Sequence, residues 1–204
     1  MQRKGLLVVI SAPSGGGKTT IIQKVLSVGN GNYRYSISAT TRKKRPNEEH
    51  GRDYYFLTTE EFWQKQRRGE FVEWAEVHGD WYATPREPLE RWLEEGRIVF
   101  LDLDVDGGLR IKQQYGDAAL LIFVRPPSFE SLVKRLRDRN TESEAQIEKR
   151  LQRYPKEIEA SKRYDCQIVN ENLDDTVAEI IEIINQRVMS LNGGKQYDQN
   201  PAAG

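Results

Sequence analysis

Eight residues near the N-terminus carry the first chemistry: Ala12-Pro13-Ser14-Gly15-Gly16-Gly17-Lys18-Thr19. They match the phosphate-loop pattern G-x-x-x-x-G-K-[ST] except at Ala12, where the pattern has its first glycine. Glycines allow consecutive backbone N–H groups to turn inward around a phosphate, and a following helix adds its positive N-terminal end. Lys18 then reaches the β- and γ-phosphates of a nucleoside triphosphate, and the Thr19 hydroxyl is a ligand for Mg²⁺. The expected triphosphate-binding set is Ser14, Gly15, Gly16, Gly17, Lys18, Thr19 and Thr20. A second chemical element is the apolar run Ile-Val-Phe-Leu-Asp ending in Asp102, the kind of strand-end carboxylate that orients Mg²⁺ or its water.

These residues need a scaffold. The apolar run 6–10 (LLVVI) ends at the glycine loop, and Ile21, Ile22, Val25, Leu26 and Val28 follow at helical spacing, which reads as strand, loop, helix. Further buried strands are expected at 98–103, 120–124 and 167–169. Unalternating apolar runs point to parallel strands covered on both faces. Helices are expected at 88–95, 108–114, 128–139, 144–161 and 174–189, with a break near Pro155. Alternation of the two types predicts an α/β parallel sheet flanked by helices. The stretch 35–84 differs: strand-like pieces YSISA, YYFL and FVEWAEV surround one short helix that begins at Thr58, with Glu61 placed for a capping box. It reads as a mixed lobe inserted into a core of 1–34 and 85–190. The tail 191–204 has no periodicity and is expected to be disordered.

Four segments occur in register: Ser38-Ala39-Thr40-Thr41-Arg42-Lys43-Lys44-Arg45-Pro46, Gly51-Arg52-Asp53-Tyr54-Tyr55-Phe56, Phe71-Val72-Glu73-Trp74-Ala75 and Tyr82-Ala83-Thr84. With the phosphate loop, their order and spacing resemble guanylate kinase over 1–190. The resemblance implies a phosphate-loop core, a GMP-binding lobe, a helical lid at about 138–155, and transfer of phosphate from ATP to GMP with Mg²⁺. It assigns GMP contacts to Ser38, Arg42, Arg45, Tyr54, Glu73, Tyr82, Thr84, Asp102 and Asp104, an adenine-side contact to Asn170, and catalytic arginines to Arg139 and Arg150, with Arg139 also on ATP. Lys18 and Arg45 join the catalytic set, and Thr19 and Asp102, the latter through water, the metal set. The chemistry suits these types. Guanidinium forks match a dianionic phosphate. A carboxylate accepts both the N1–H and N2–H₂ donors of guanine, and Thr84 is placed to donate to O6. Adenine lacks that donor pair, so an unpaired Glu73 penalises AMP. Arg137 and Arg153 read as solvated helix-face residues.

Composition bounds the partners. Lys plus Arg number 31 and Asp plus Glu 31, so the net charge is zero, and a broadly basic nucleic-acid surface is excluded. The charge is unevenly laid out, at +4 over 34–52, −7 over 60–106 and +4 over 134–163. A charge run by itself reads as a solvated face, and the layout raises the question of whether the two basic stretches meet around one anionic ligand. Cys166, alone, forms no internal disulfide and reads as a small core residue; with His50 and His78 it is thin material for zinc. No apolar run reaches the ~20 residues of a membrane span, and the expectation is a cytoplasmic protein with ATP and GMP as partners. The choice between GMP and dGMP, and between monomer and small homo-oligomer, stays open.

Four departures stand out against the resemblance: Ala12, Lys43-Lys44 before the second arginine, Asp106 before Gly107, and Tyr154-Pro155 after the lid. Two other readings compete: a peptide-binding module of the same fold with a degraded phosphate loop, and a kinase for another phosphorylated acceptor. The intact glycine loop argues against the first, and Glu73 with Thr84 against the second.

Overall fold

The computed structural model describes residues 4–29, 31–77, 79–138 and 144–193. In chain order the elements are β1 (Leu6–Ser11), α1 (Lys18–Val28), β2 (Tyr33–Tyr35), β3 (Ala39–Thr40), β4 (Tyr55–Phe56), α2 (Thr59–Arg67), β5 (Phe71–Val77), β6 (Asp80–Pro85), α3 (Arg86–Glu94), β7 (Ile98–Asp102), α4 (Val105–Tyr115), β8 (Ala119–Arg125), α5 (Phe129–Asp138), α6 (Glu144–Leu151), α7 (Tyr154–Ser161), β9 (Cys166–Val169) and α8 (Leu173–Leu191).

Five strands form one parallel sheet in the order β2-β7-β1-β8-β9. Every residue of β1 is buried because both faces are covered. Leu6, Val8 and Ile10 pack with Ile21, Ile22 and Val25 of α1 and Ile180 and Ile184 of α8. Leu7 and Val9 pack on the other side with Leu89 of α3 and Ile111 of α4. That two-sided burial is why the run is apolar without alternation. From β1 the chain leaves toward β2, and from its neighbour β7 it leaves toward β8 on the opposite side. The carboxyl ends of β1 and β7 therefore flank a topological switch point, where open α/β sheets bind ligands.

The inserted segment forms its own four-stranded sheet, β4-β3-β6-β5, with a small core of Ala39, Phe62, Phe71 and Ala83 under Trp63 and Trp81. The capping box expected at Thr58 is present: its hydroxyl accepts from the Glu61 N–H and the Glu61 carboxylate accepts from the Thr58 N–H. The YSISA strand is corrected. It straddles two sheets, since Tyr35 ends β2 in the core sheet and Ala39 begins β3 in the lobe. The break expected near Pro155 in 144–161 is present: α6 ends at Leu151, and Pro155 stands in the first turn of α7, where a missing N–H costs nothing.

Helix α4 starts three residues before the expected 108, because Asp104 caps it by accepting from the Gly107 N–H at 2.7 Å. The Gly107-Gly108 pair, which reads as a breaker, serves close packing. A Cβ on Gly108 would lie 2.1 Å from the Tyr164 hydroxyl, which is hydrogen-bonded with Ser11 Oγ at 2.8 Å and donates to the Val105 carbonyl at 3.2 Å. Gly108→Ala is expected to lower stability by about 3 kcal/mol through overpacking. Urea unfolding checks this, and an unchanged midpoint would contradict the packing.

Candidate active site

The phosphate loop leaves β1 with a turn in which the Gly16 N–H donates to the Pro13 carbonyl at 2.8 Å. Gly15 and Gly17 have φ of +91° and +89°, values that L side chains rarely adopt. With Ala12 in place Gly16 has to be a glycine, since a Cβ there would lie 2.9 Å from the Ala12 methyl. Lys18 begins α1, and its Nζ lies 2.5 Å from Asp102 Oδ1 and 2.9 Å from the Leu103 carbonyl. Asp102 is paired in register with Ile10, so it stands at the root of the loop. Thr19 and Thr20 are exposed in the first turn of α1.

Two cavities meet these residues. The first, about 180 Å³, is lined by Lys18, Ser38, Tyr54, Glu73, Tyr82, Asp102 and Asp104, joined by Tyr35. It is smaller than the roughly 300–1,000 Å³ usual for drug-sized ligands, a size for one ring system rather than a whole nucleotide. The second, about 370 Å³, is bounded by Gly15, Gly17, Thr20, Arg135 and Asn170. A larger cavity of about 1010 Å³ lies behind the lobe against α3, among residues such as Arg68, Glu70 and Trp92, and touches none of the candidate site residues.

Glu73 is the buried charge of the first cavity, 6% exposed. Its Oε2 accepts from Arg110 Nη2 at 2.9 Å and its Oε1 from Thr84 Oγ1 at 3.2 Å. Burial pushes its pKa up, and Arg110 opposes that shift. The single Thr84 proton is thus spent on Glu73, so donation to O6, expected from sequence, would require the hydroxyl to turn. Burial also raises the Tyr54 phenol, to about 12, and it remains an O–H donor at neutral pH. Arg42 lies at the edge of this cavity. Its Nη2 donates to Glu48 Oε1 at 2.7 Å and its guanidinium stands over the Tyr54 ring at 5.3 Å. Glu48 also accepts from the Arg45 N–H at 2.8 Å and is held below the usual carboxylate range, first by the Arg42 hydrogen bond. The Arg45 side chain is exposed on the same loop, as are Lys43 and Lys44.

On the triphosphate side, Arg150 of α6 donates from Nη1 to Ser14 Oγ. Asn170 lines the second cavity. It is buried, donates from Nδ2 to the Gly16 carbonyl at 3.3 Å and accepts from Thr176 at 3.2 Å, so its amide braces the phosphate loop. Arg139 and His78 lie outside the described residues, as do 194–204 of the tail, whereas Leu191 still belongs to α8. Arg137 is exposed and pairs with Glu144, as expected of a helix face. Arg153 is corrected: the break before α7 turns it toward Asp104, at 3.8 Å. Asp106 leaves the α4 cap intact and sits 3.4 Å from Lys156.

Sequence reasoning missed Arg110 and gave no site role to Tyr35 or Arg135, whose positions depend on packing between distant elements. Among the described residues no group of three or more potential ligands gathers to hold a metal by itself, and no helix is long and apolar enough to cross a membrane. Cys166 is only partly buried, less so than a core residue.

A parallel sheet with a glycine loop and lysine at its switch point, facing a lobe with a second cavity, defines a phosphate-loop protein of the kinase type. Comparison narrows the class. The guanylate kinase family model matches residues 4–187. Guanylate kinase of Thermotoga maritima is 46% identical over 181 residues, covering 89% of this chain and 86% of its own. That of Bacteroides thetaiotaomicron is 45% identical over 186 residues, covering 91% of each. The crystal structure of guanylate kinase from Anaplasma phagocytophilum aligns with a TM-score of 0.75 and 32% identity, over 97% of this chain and 90% of that one. The chain belongs to the guanylate kinase family, and that membership makes it a kinase.

Proposed function

We propose that the chain transfers the γ-phosphoryl group of ATP to GMP, giving ADP and GDP, with Mg²⁺ carried on the nucleotide. The observation that carries this reading is the buried Glu73 carboxylate in a ring-sized cavity next to Lys18 and Asp102. Glu73 accepts the two donors of the guanine edge. Tyr82 and Tyr54 border the base and phosphate, and Ser38, Arg42 and Arg45 serve the acceptor phosphate. Asp104 lies on the same side. Gly15, Gly16, Gly17, Thr20 and Ser14 cradle ATP, with Asn170 holding the loop in shape.

Phosphoryl transfer needs positioning and charge neutralisation more than covalent help. Lys18 supplies one cation, Arg150 another from the lid, and Arg139 a third by the family resemblance. Thr19 and Asp102 would hold Mg²⁺, Asp102 through water. Both are hard oxygen donors, Asp102 at the loop's root and Thr19 in the first turn of α1, which fits an ion bound by few carboxylates plus substrate phosphates. Held there, the ion would supply charge neutralisation for the transferring phosphate. The reaction belongs to purine nucleotide metabolism and GMP recycling. We assign it to the cytoplasm, in keeping with the single unpaired thiol.

Calorimetric titration tests the acceptor site directly: GMP is expected to bind and AMP to bind at least about tenfold more weakly, and equal affinities would overturn the assignment. Arg150→Ala is expected to lower kcat about twentyfold with a smaller change in the KM for GMP. Steady-state kinetics read both, and an unchanged kcat removes Arg150 from the transfer step.

A further inference from the structure

Glu73 stands on β5 in the lobe, and the residue that pairs with it, Arg110, stands on α4 in the core. The contact is a charge-assisted hydrogen bond of 2.9 Å from Arg110 Nη2 to Glu73 Oε2. Four residues along α4, Gln114 donates from Nε2 to the Val72 carbonyl at 2.8 Å. One helix face thus holds two successive residues of β5. The approach is as close as the chain allows, since a Cβ on Gly107 would lie 3.2 Å from Glu73 Oε2 and 3.1 Å from Asp104 Oδ1. Among the described residues Arg110 Nε is enclosed without a hydrogen-bond partner, and Nη2 makes the contact to Glu73.

We propose that Arg110 is a positioning residue for acceptor recognition, fixing the plane of the Glu73 carboxylate so that both of its oxygens face the guanine edge. The proposal rests on the reading of Glu73 as the guanine acceptor. A carboxylate offers about four lone-pair sites. Thr84 takes one on Oε1 and Arg110 one on Oε2, which leaves one on each oxygen for N1–H and N2–H₂. Without Arg110 the carboxylate turns freely about its last torsion, and a buried anion loses its counter-charge.

The charged groups facing Glu73 are Arg110 and, from the cap of the same helix, Asp104; Thr84 faces it from β6. Elsewhere around the cavity Lys18 and Asp102 pair with each other, and Tyr35 and Tyr54 are held neutral by burial. Burial and Asp104 raise the Glu73 pKa, whereas Arg110 and Thr84 lower it. Loss of Arg110 therefore moves the protonation of Glu73 to higher pH, and protonation removes one acceptor.

The test is steady-state kinetics of the wild type, Arg110→Met and Arg110→Lys with ATP and Mg²⁺. The acceptors are GMP and inosine monophosphate, which lacks the N2 amino group. Arg110→Met is expected to raise the KM for GMP about tenfold, with the KM for ATP unchanged and kcat little affected. The preference for GMP over inosine monophosphate narrows, and the acid limb of kcat/KM for GMP shifts to higher pH. Arg110→Lys restores part of each effect and carries the test if the methionine variant fails to fold. An unchanged KM for GMP and an unmoved acid limb, in variants of an enzyme that phosphorylates GMP, would overturn the role of Arg110 and leave that of Glu73 standing. A uniform fall in kcat with both KM values unchanged would overturn it as well. A wild type without GMP turnover would bring down the functional reading itself, and this proposal with it.

Discussion

Replacing Lys18 by methionine is expected to lower kcat by about a thousandfold without unfolding the protein. Lys18 begins α1 and lines the acceptor-side cavity, while its neighbour Gly17 lines the other. Its Nζ already reaches Asp102 and the Leu103 carbonyl across the ends of β1 and β7. A cation there lies where negative charge builds on the transferring phosphoryl group, and methionine keeps its bulk without its charge. The pair is mostly enclosed, at 23% and 21% side-chain exposure, so methionine leaves Asp102 without its counter-charge and some loss of stability is expected alongside the loss of kcat. A coupled assay at saturating substrates reads kcat, with thermal unfolding alongside. A near-normal kcat would remove Lys18 from the mechanism.

Glu73→Gln is expected to lower kcat/KM for GMP by about a hundredfold and to leave the KM for ATP unchanged. Glutamine has the same shape but replaces one acceptor oxygen by an NH₂ donor, which meets a guanine donor head-on. Such a mismatch at a buried polar site costs far more than one lost hydrogen bond in water. The same change has a signature in stability. Burial raises the Glu73 pKa above its unfolded value of about 4.3. Between those two values the native state binds more protons than the unfolded one, so this carboxylate costs stability as pH rises through that window. Glutamine does not titrate. The melting temperature of the variant relative to wild type should therefore climb in the variant's favour from about pH 4 toward neutrality. A flat difference would show that Glu73 is not a destabilised buried carboxylate, and an unchanged KM for GMP that it has been misassigned.

Much of this site was legible locally. The run LLVVI followed by three glycines and Lys18-Thr19 is a strand, a loop and a helix within 23 residues, and each signal is short-range. Thr58 with Glu61 gave away a helix start for the same reason. What could not be read depends on residues far apart in sequence. Arg110 meets Glu73 across 37 positions, and Asn170 meets Gly16 across 154. Nothing in the periodicity of α4 says that its glycines exist to let Tyr164 and Glu73 come close. The early start of α4 was hidden by those glycines, whose low helix propensity is overridden by the Asp104 cap and by packing. Arg153 looked like any helix-face arginine because its contact, Asp104, lies on a distant element at the cap of α4.

The central claim is that the cavity around Glu73 selects guanine for phosphorylation by ATP. The most direct measurement is ADP release from ATP and Mg²⁺ with GMP, AMP, CMP and UMP in turn. The account predicts rapid release with GMP and poor turnover with the other three; equal rates with AMP, or no turnover with GMP, would contradict it.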